Sequence, residues 1–244
     1  MTKLSRRELL ATTALLLATT ARVEGRDISG QVPWRPNAGA PPQKITPGGW
    51  LFFTLPEAAA IEAMVDRIIP PDAEAPGGKD AGCAVFIDRQ LAGPYGHQEG
   101  LYTRPPFIKG SREQGPQSEG GPAQVYKTGL AALDRFCRSG NYQKGFAELD
   151  PKRQDEILQG LEDEKIQLDG ADGKAFFQLV ALDAQQGFFA DPLYGGNRDM
   201  CGWKMIGFPG ARYDYRDWVT RHNEPYPYPP VSIMGRSDWL LRKG

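Results

Sequence analysis

Few residues in this chain have both the type and the spacing for chemistry. It has two histidines, His97 and His222, and three cysteines, Cys83, Cys137 and Cys201. A closed zinc site needs four nitrogen or sulfur ligands, commonly in short-spaced pairs, and these five residues are scattered. Iron–sulfur ligands come in tight local runs, whereas the cysteines stand more than 50 residues apart. There is no C-x-x-C-H for covalent haem. No two glycines are separated by a single residue, which excludes a G-x-G-x-x-G dinucleotide fingerprint. Gly78-Lys79 is followed by Asp80 and Gly173-Lys174 by Ala175, so neither completes a phosphate loop. His97 has Ser111, Ser118 and Asp88 near it in sequence, but no G-x-S-x-G elbow exists. The carboxylate pairs Asp163–Glu164 and Asp169–Asp172 fall in polar segments and read as solvated faces. The sequence therefore offers no catalytic, cofactor-binding or metal-ligating set.

The cysteines suit an oxidising compartment. Cys83 and Cys137 fall on or beside expected helices and are a candidate disulfide. The alternative is two small buried thiols, which behave as hydrophobes. Cys201 is the odd one left over.

The elements that would position these residues are helical. Thr54 and Glu57 have capping-box spacing, with Pro56 in the first turn. Ile61, Met64, Val65 and Ile68 follow at helical spacing, and Pro70-Pro71 stops the run. Residues 82–91 form a short second helix carrying Val85, Phe86 and Leu91. Residues 93–122 are a long polar connection. Residues 124–138 are helical, with Tyr126, Leu130, Leu133 and Cys137 on one side. Asp150-Pro151 is an N-cap with proline at the first helical position, opening a helix striped by Ile157, Leu158 and Leu161. Residues 174–186 carry Phe177, Val180, Ala181 and Ala184. No alternation of strands and no internal repeat is present. The expected fold is mostly α: a single domain of about six helices, with long Gly/Pro-rich loops and extended arms at both ends. The 244 residues suffice for one core, and 29 Gly with 21 Pro predict the loops. A net charge of −1 does not favour nucleic acid.

The N-terminus reads as an address. Ser5-Arg6-Arg7-Glu8-Leu9-Leu10 resembles a twin-arginine export signal, followed by a 13-residue apolar and threonine stretch to Ala21. That stretch is short of the roughly 20 residues a spanning helix needs. An uncleaved anchoring helix is the other reading. Removing residues 1–21 leaves the chain more acidic. Residues 22–49 form a proline-rich arm with polyproline character, with Trp34 in it and Trp50 next to it. Residues 50–244 are then the helical domain. Its tail includes the Pro-Tyr repeats of residues 225–230 and ends near Trp239.

Residues 187–215 read GFFADPLYGGNRDMCGWKMIGFPGARYDY, with seven aromatics and six glycines in 29 residues. Glycine at that density disfavours helix, and disordered linkers are poor in aromatics. The reading is irregular backbone pinned by large side chains, either a well-packed loop or a docking surface. The expected docking residues are Phe188, Phe189, Tyr194, Arg198, Trp203 and Met205.

The words FFADP, YGGNRDM, GWKMIGFPGA and YDY resemble the small (gamma) subunit of membrane-bound, flavin-dependent gluconate 2-dehydrogenase. Residues 54–71 and 82–96 extend the resemblance. It implies a chain without a cofactor of its own. The implied partners are a large FAD-bearing subunit of the glucose–methanol–choline flavoprotein type and a multihaem cytochrome c, with an iron–sulfur cluster as a further candidate group in the partners. It also implies a periplasmic place at the outer face of the cytoplasmic membrane, held to the membrane only through the complex. Related fructose, sorbitol and 2-keto-gluconate dehydrogenases carry similar small subunits, and an export escort that dissociates after translocation is the other reading.

Overall fold

The first helix, α1 (Leu55–Ile68), starts where the sequence requires it. The Thr54 N–H and hydroxyl both donate to the Glu57 carboxylate, at 2.7 and 2.8 Å. This satisfies a donor that the helix itself cannot. The Glu57 carboxylate also receives the Lys127 ammonium at 2.8 Å, tying α1 to the third helix. Burial works against its charge. Lys127 and Thr54 outweigh burial and hold the carboxyl below its usual range. Ala58, Ile61, Met64 and Val65 form the buried face. Arg67 in the last turn forks onto Asp155 at 2.6 and 2.9 Å, linking α1 to the fourth helix.

A computed structural model describes residues 48–99, 105–108, 110–111, 120–139, 142–211 and 215–233. All belong to one unit, Asn37–Gly244. The expected export signal, nearly all of the proline-rich arm, Ser118, Tyr213 and Trp239 lie outside the described residues.

Five more α-helices follow: α2 (Cys83–Leu91), α3 (Pro122–Ser139), α4 (Pro151–Glu162), α5 (Gly173–Phe189) and α6 (Cys201–Ile206). Short 3-10 turns occupy Phe146–Glu148, Pro192–Tyr194, Arg198–Met200 and Arg216–Trp218. Among the described residues the only β-pairing is two isolated bridges, Leu168 with Ala171 and Gly210 with Val231. Among the described residues the observed fold is thus a mostly helical domain of six helices. The expected caps are in place: Asp150 accepts from the Arg153 N–H at 3.1 Å, and Asp172 from the Ala175 N–H at 2.9 Å.

Helix α5 is the axis, packing against each of the other five helices. Its buried face runs Phe176, Val180, Asp183, Ala184, Gly187, Phe188. The Phe176 ring meets Tyr126 edge-on at 5.9 Å. It lies so close to Gly129 on α3 that any Cβ there would overlap the ring. Each fully buried large side chain of this core contributes about 1.5–3 kcal/mol.

Three buried aspartates act as fasteners. Asp183 accepts the Tyr126 hydroxyl at 2.9 Å and the Tyr95 hydroxyl at 2.8 Å, joining α5, α3 and the turn after α2. Burial raises its carboxyl above the usual range, although the two hydroxyls partly oppose this. Asp88 on α2 accepts three consecutive amides, from Leu51, Phe52 and Phe53, at 2.9 to 3.0 Å. Arg89 pairs with Asp88 and also donates to the carbonyls of Gly48 and Gly49. Asp191 fastens a late segment, at Ser232 and Ile233. Its carboxylate takes the Ser232 hydroxyl at 2.7 Å and the Ile233 N–H at 2.8 Å.

Candidate docking site

The segment from Gly187 to Ala211 is less irregular than its glycine content suggests. Gly187, Phe188 and Phe189 complete the last turn of α5, and Cys201–Ile206 coil into α6. Gly187 is tolerated there because Phe86 packs where its side chain would be. Gly196 and Gly202 serve close approach: a Cβ on Gly196 would overlap the Gly187 carbonyl, and one on Gly202 the Phe188 carbonyl.

Between the two helices the backbone is strained. Asn197, Asp199 and Met200 all adopt the left-handed region, with φ of 47°, 54° and 56°. Non-glycine residues rarely sit there, at a cost on the order of 1–3 kcal/mol each. Asn197 offsets that cost. It is fully buried, its amide donates to the Ala190 carbonyl at 2.8 Å, and its carbonyl accepts the Gly202 N–H at 2.8 Å. The Cys201 thiol approaches the same oxygen at 3.8 Å. The Arg198 N–H donates to the Ala81 carbonyl at 3.0 Å, anchoring the loop beside the start of α2.

The six expected docking residues divide into two groups. Phe188 and Trp203 are buried. The Trp203 indole N–H donates to the Phe189 carbonyl at 2.7 Å, and its ring meets Phe208 edge-on at 5.2 Å. These two hold the loop from within, and Phe189, half-buried, packs edge-on against Phe188 at 5.3 Å. Tyr194, Arg198 and Met205 face outward, Tyr194 being 48% and Met205 41% exposed. Ile206 at 58% and Phe208 at 44% widen the apolar rim beside Met205. Leu193 and Ile233 do so around the Asp191 turn. Lys204 is neutralised by Asp199 at 2.6 Å. Arg198 has no ion-pair or side-chain hydrogen-bond partner among the described residues.

A second aromatic group lies in residues 215–228. Tyr226 is ringed by Tyr215, Trp218 and Tyr228 at 5.8, 5.2 and 5.6 Å, and Arg221 lies over the Trp218 ring at 4.5 Å.

Sequence reasoning missed Asn197. Its position in the Gly-Gly-Asn run was the available signal, since asparagine tolerates left-handed backbone better than most residues. Of the residues weighed for hydrolysis, His97 and Asp88 sit in different surroundings. His97 is exposed, and Asp88 is committed to three amides. Asp163, Glu164, Asp169 and Asp172 are all exposed. Among the described residues no three His, Cys, Asp or Glu side chains gather as a metal site, and no helix is long and apolar enough to cross a membrane. Cys83, Cys137 and Cys201 are free thiols in the structure.

Among the described residues the unit is mostly helical, with an internally braced loop whose outer face is apolar. The chain belongs to the gluconate 2-dehydrogenase subunit 3 family, which matches it over residues 56–210. That span holds α2 to α6, all of α1 but its first residue, and the braced loop. No curated protein and no solved structure matches the chain.

Proposed function

We propose that this chain is the non-catalytic small subunit of a periplasm-facing, flavin-dependent gluconate 2-dehydrogenase. The large partner holds FAD and takes hydride from C2 of gluconate, giving 2-keto-gluconate. A multihaem cytochrome c anchors the complex at the outer face of the cytoplasmic membrane and passes the electrons to quinone. This chain supplies the twin-arginine address. It also stabilises the large subunit by binding only its folded form. The observation that carries this reading is the outer face of the braced loop. Tyr194, Met205, Ile206 and Phe208 are exposed apolar side chains on either side of backbone held in a costly conformation at Asn197, Asp199 and Met200, near Arg198, which has no ion-pair partner among the described residues. Apolar anchors and arginine are what interface centres are enriched in.

Co-expression of a tagged chain with its flavin-bearing neighbour tests it. The recovered complex carries flavin absorbance, and with the cytochrome also haem bands, while the chain alone carries neither. Combining Tyr194→Asp with Arg198→Glu lowers recovery of the flavin subunit at least about tenfold, the result of losing roughly 1.4 kcal/mol or more of association. Unchanged recovery, or an exported large subunit free of this chain, overturns the reading.

A further inference from the structure

The braced loop carries Cys201 to the same corner of the fold as Cys83. Cys83 is the first residue of α2, and Cys201 is the first residue of α6. The segments leading into the two helices are joined directly. The Ala81 carbonyl accepts the Arg198 N–H at 3.0 Å, and a Cβ on Gly82 would come within 2.7 Å of both the Arg198 Nε and the Gly195 carbonyl. One residue beyond Gly82 on one side, and three beyond Arg198 on the other, stand the two thiols. Cys137 lies elsewhere, on α3, where the charged groups acting on it are Asp134 and Arg138. Burial pushes the Cys83 thiol up to about 12, and the nearby Cys201 adds to the rise. The two sulfurs are thus within electrostatic reach of each other.

We infer that Cys83 and Cys201 form an intrachain disulfide that ties the strained loop to the start of α2, leaving Cys137 as the free thiol. The pairing departs from the Cys83–Cys137 bridge that the sequence suggested, and it does not depend on which partner the loop docks against. It has a physical purpose. Three left-handed residues precede Cys201, and a covalent tie at that point opposes relaxation of the loop. The oxidant is a small or protein disulfide. The Cys201 thiolate attacks one sulfur of that disulfide and expels the other half as a thiol. The Cys83 sulfur, its proton lost to water, then attacks Cys201 in the mixed disulfide and expels the second thiol. Two electrons and two protons pass from the protein to the oxidant, which leaves as two thiols. Cys201 is half-buried and reacts first, whereas Cys83 is fully buried and resolves slowly.

The test uses the full chain, purified reduced and incubated with glutathione disulfide. It is then quenched in acid, alkylated and digested without reductant for mass spectrometry. The expected product links the Cys83 and Cys201 peptides, with Cys137 alkylated. The Cys137→Ser variant gives the same link, and Cys83→Ser and Cys201→Ser each give none. Oxidation raises the thermal midpoint of the wild type by roughly 5 °C or more, and that shift is absent in Cys201→Ser. A Cys83–Cys137 link, alkylation of both Cys83 and Cys201, or a glutathione adduct on Cys201 as the end product overturns the proposal.

Discussion

The helical bundle and the loop between α5 and α6 are stabilised by different physics. The bundle rests on apolar area: Tyr126, Phe176, Ile61, Met64, Ile87 and Leu133 are buried, on helices whose described residues hold no left-handed backbone. The loop rests on a few directional bonds to Asn197 and Trp203, which hold backbone that would otherwise relax. Loss of area is graded and spreads through the core. Loss of a bond beneath strained backbone is local and abrupt. A rigid core can thus carry a face whose shape is set independently of it.

Four substitutions break or sharpen that contrast. Phe176→Ala removes the ring between α5 and Tyr126 and costs about 3–5 kcal/mol of global stability, read from denaturant unfolding. A cost under 1 kcal/mol would mean that the bundle is not held by packing around α5. Asn197→Ala leaves the Ala190 carbonyl and the Gly202 N–H without partners and puts alanine in left-handed backbone. It costs about 2–4 kcal/mol. Hydrogen exchange should show that loss at the Gly202 amide while the amides of α3 and α4 keep their protection. Equal loss throughout would merge the two regions into one cooperative unit.

Asp183→Asn tests the polar fastener inside the bundle. Burial raises the Asp183 carboxyl in the fold, so the native state holds its proton to higher pH than the unfolded chain does. The stability it contributes is present below the usual aspartate range and is lost as pH rises through the raised value. Thermal midpoints of the wild type should therefore fall relative to the asparagine variant across that window and run parallel above it. Parallel curves throughout would remove the effect. The smallest change is Tyr194→Ala. Its side chain is half exposed, so stability moves by no more than about 0.5 kcal/mol. Stability loss well beyond that would make Tyr194 part of the scaffold and remove it from the outer face.

The bundle was legible in the sequence because its instructions are local. Thr54 with Glu57, and Asp150 with Pro151, mark helix starts by chemistry that acts within one turn. The stripes Ile61, Met64, Val65 and Ile157, Leu158, Leu161 mark buried faces by period. The reading erred by a turn or less at helix ends. For example, α3 begins at Pro122 and α5 runs on to Phe189. Between α5 and α6 the reading recognised aromatics but not their direction. Phe188 and Tyr194 are both aromatic, yet one is inside and the other outside. That difference depends on where α5 stops and on where Asn197 turns the backbone, which no period records. Asp88, Asp183 and Asp191 were illegible for a related reason. Each bonds to groups 35 or more residues away in sequence.

The Asp88 fastener bears on mechanics. Three amides in a row hang from one carboxylate on α2, while Arg89 grips the two carbonyls just before them. Tension applied to anything that precedes Gly48 is therefore delivered first to α2, by a short ladder loaded along its length, and not to the start of α1. Residues 48–53 are moored to the interior of the domain. A tug on them meets resistance before the first helix can be peeled away.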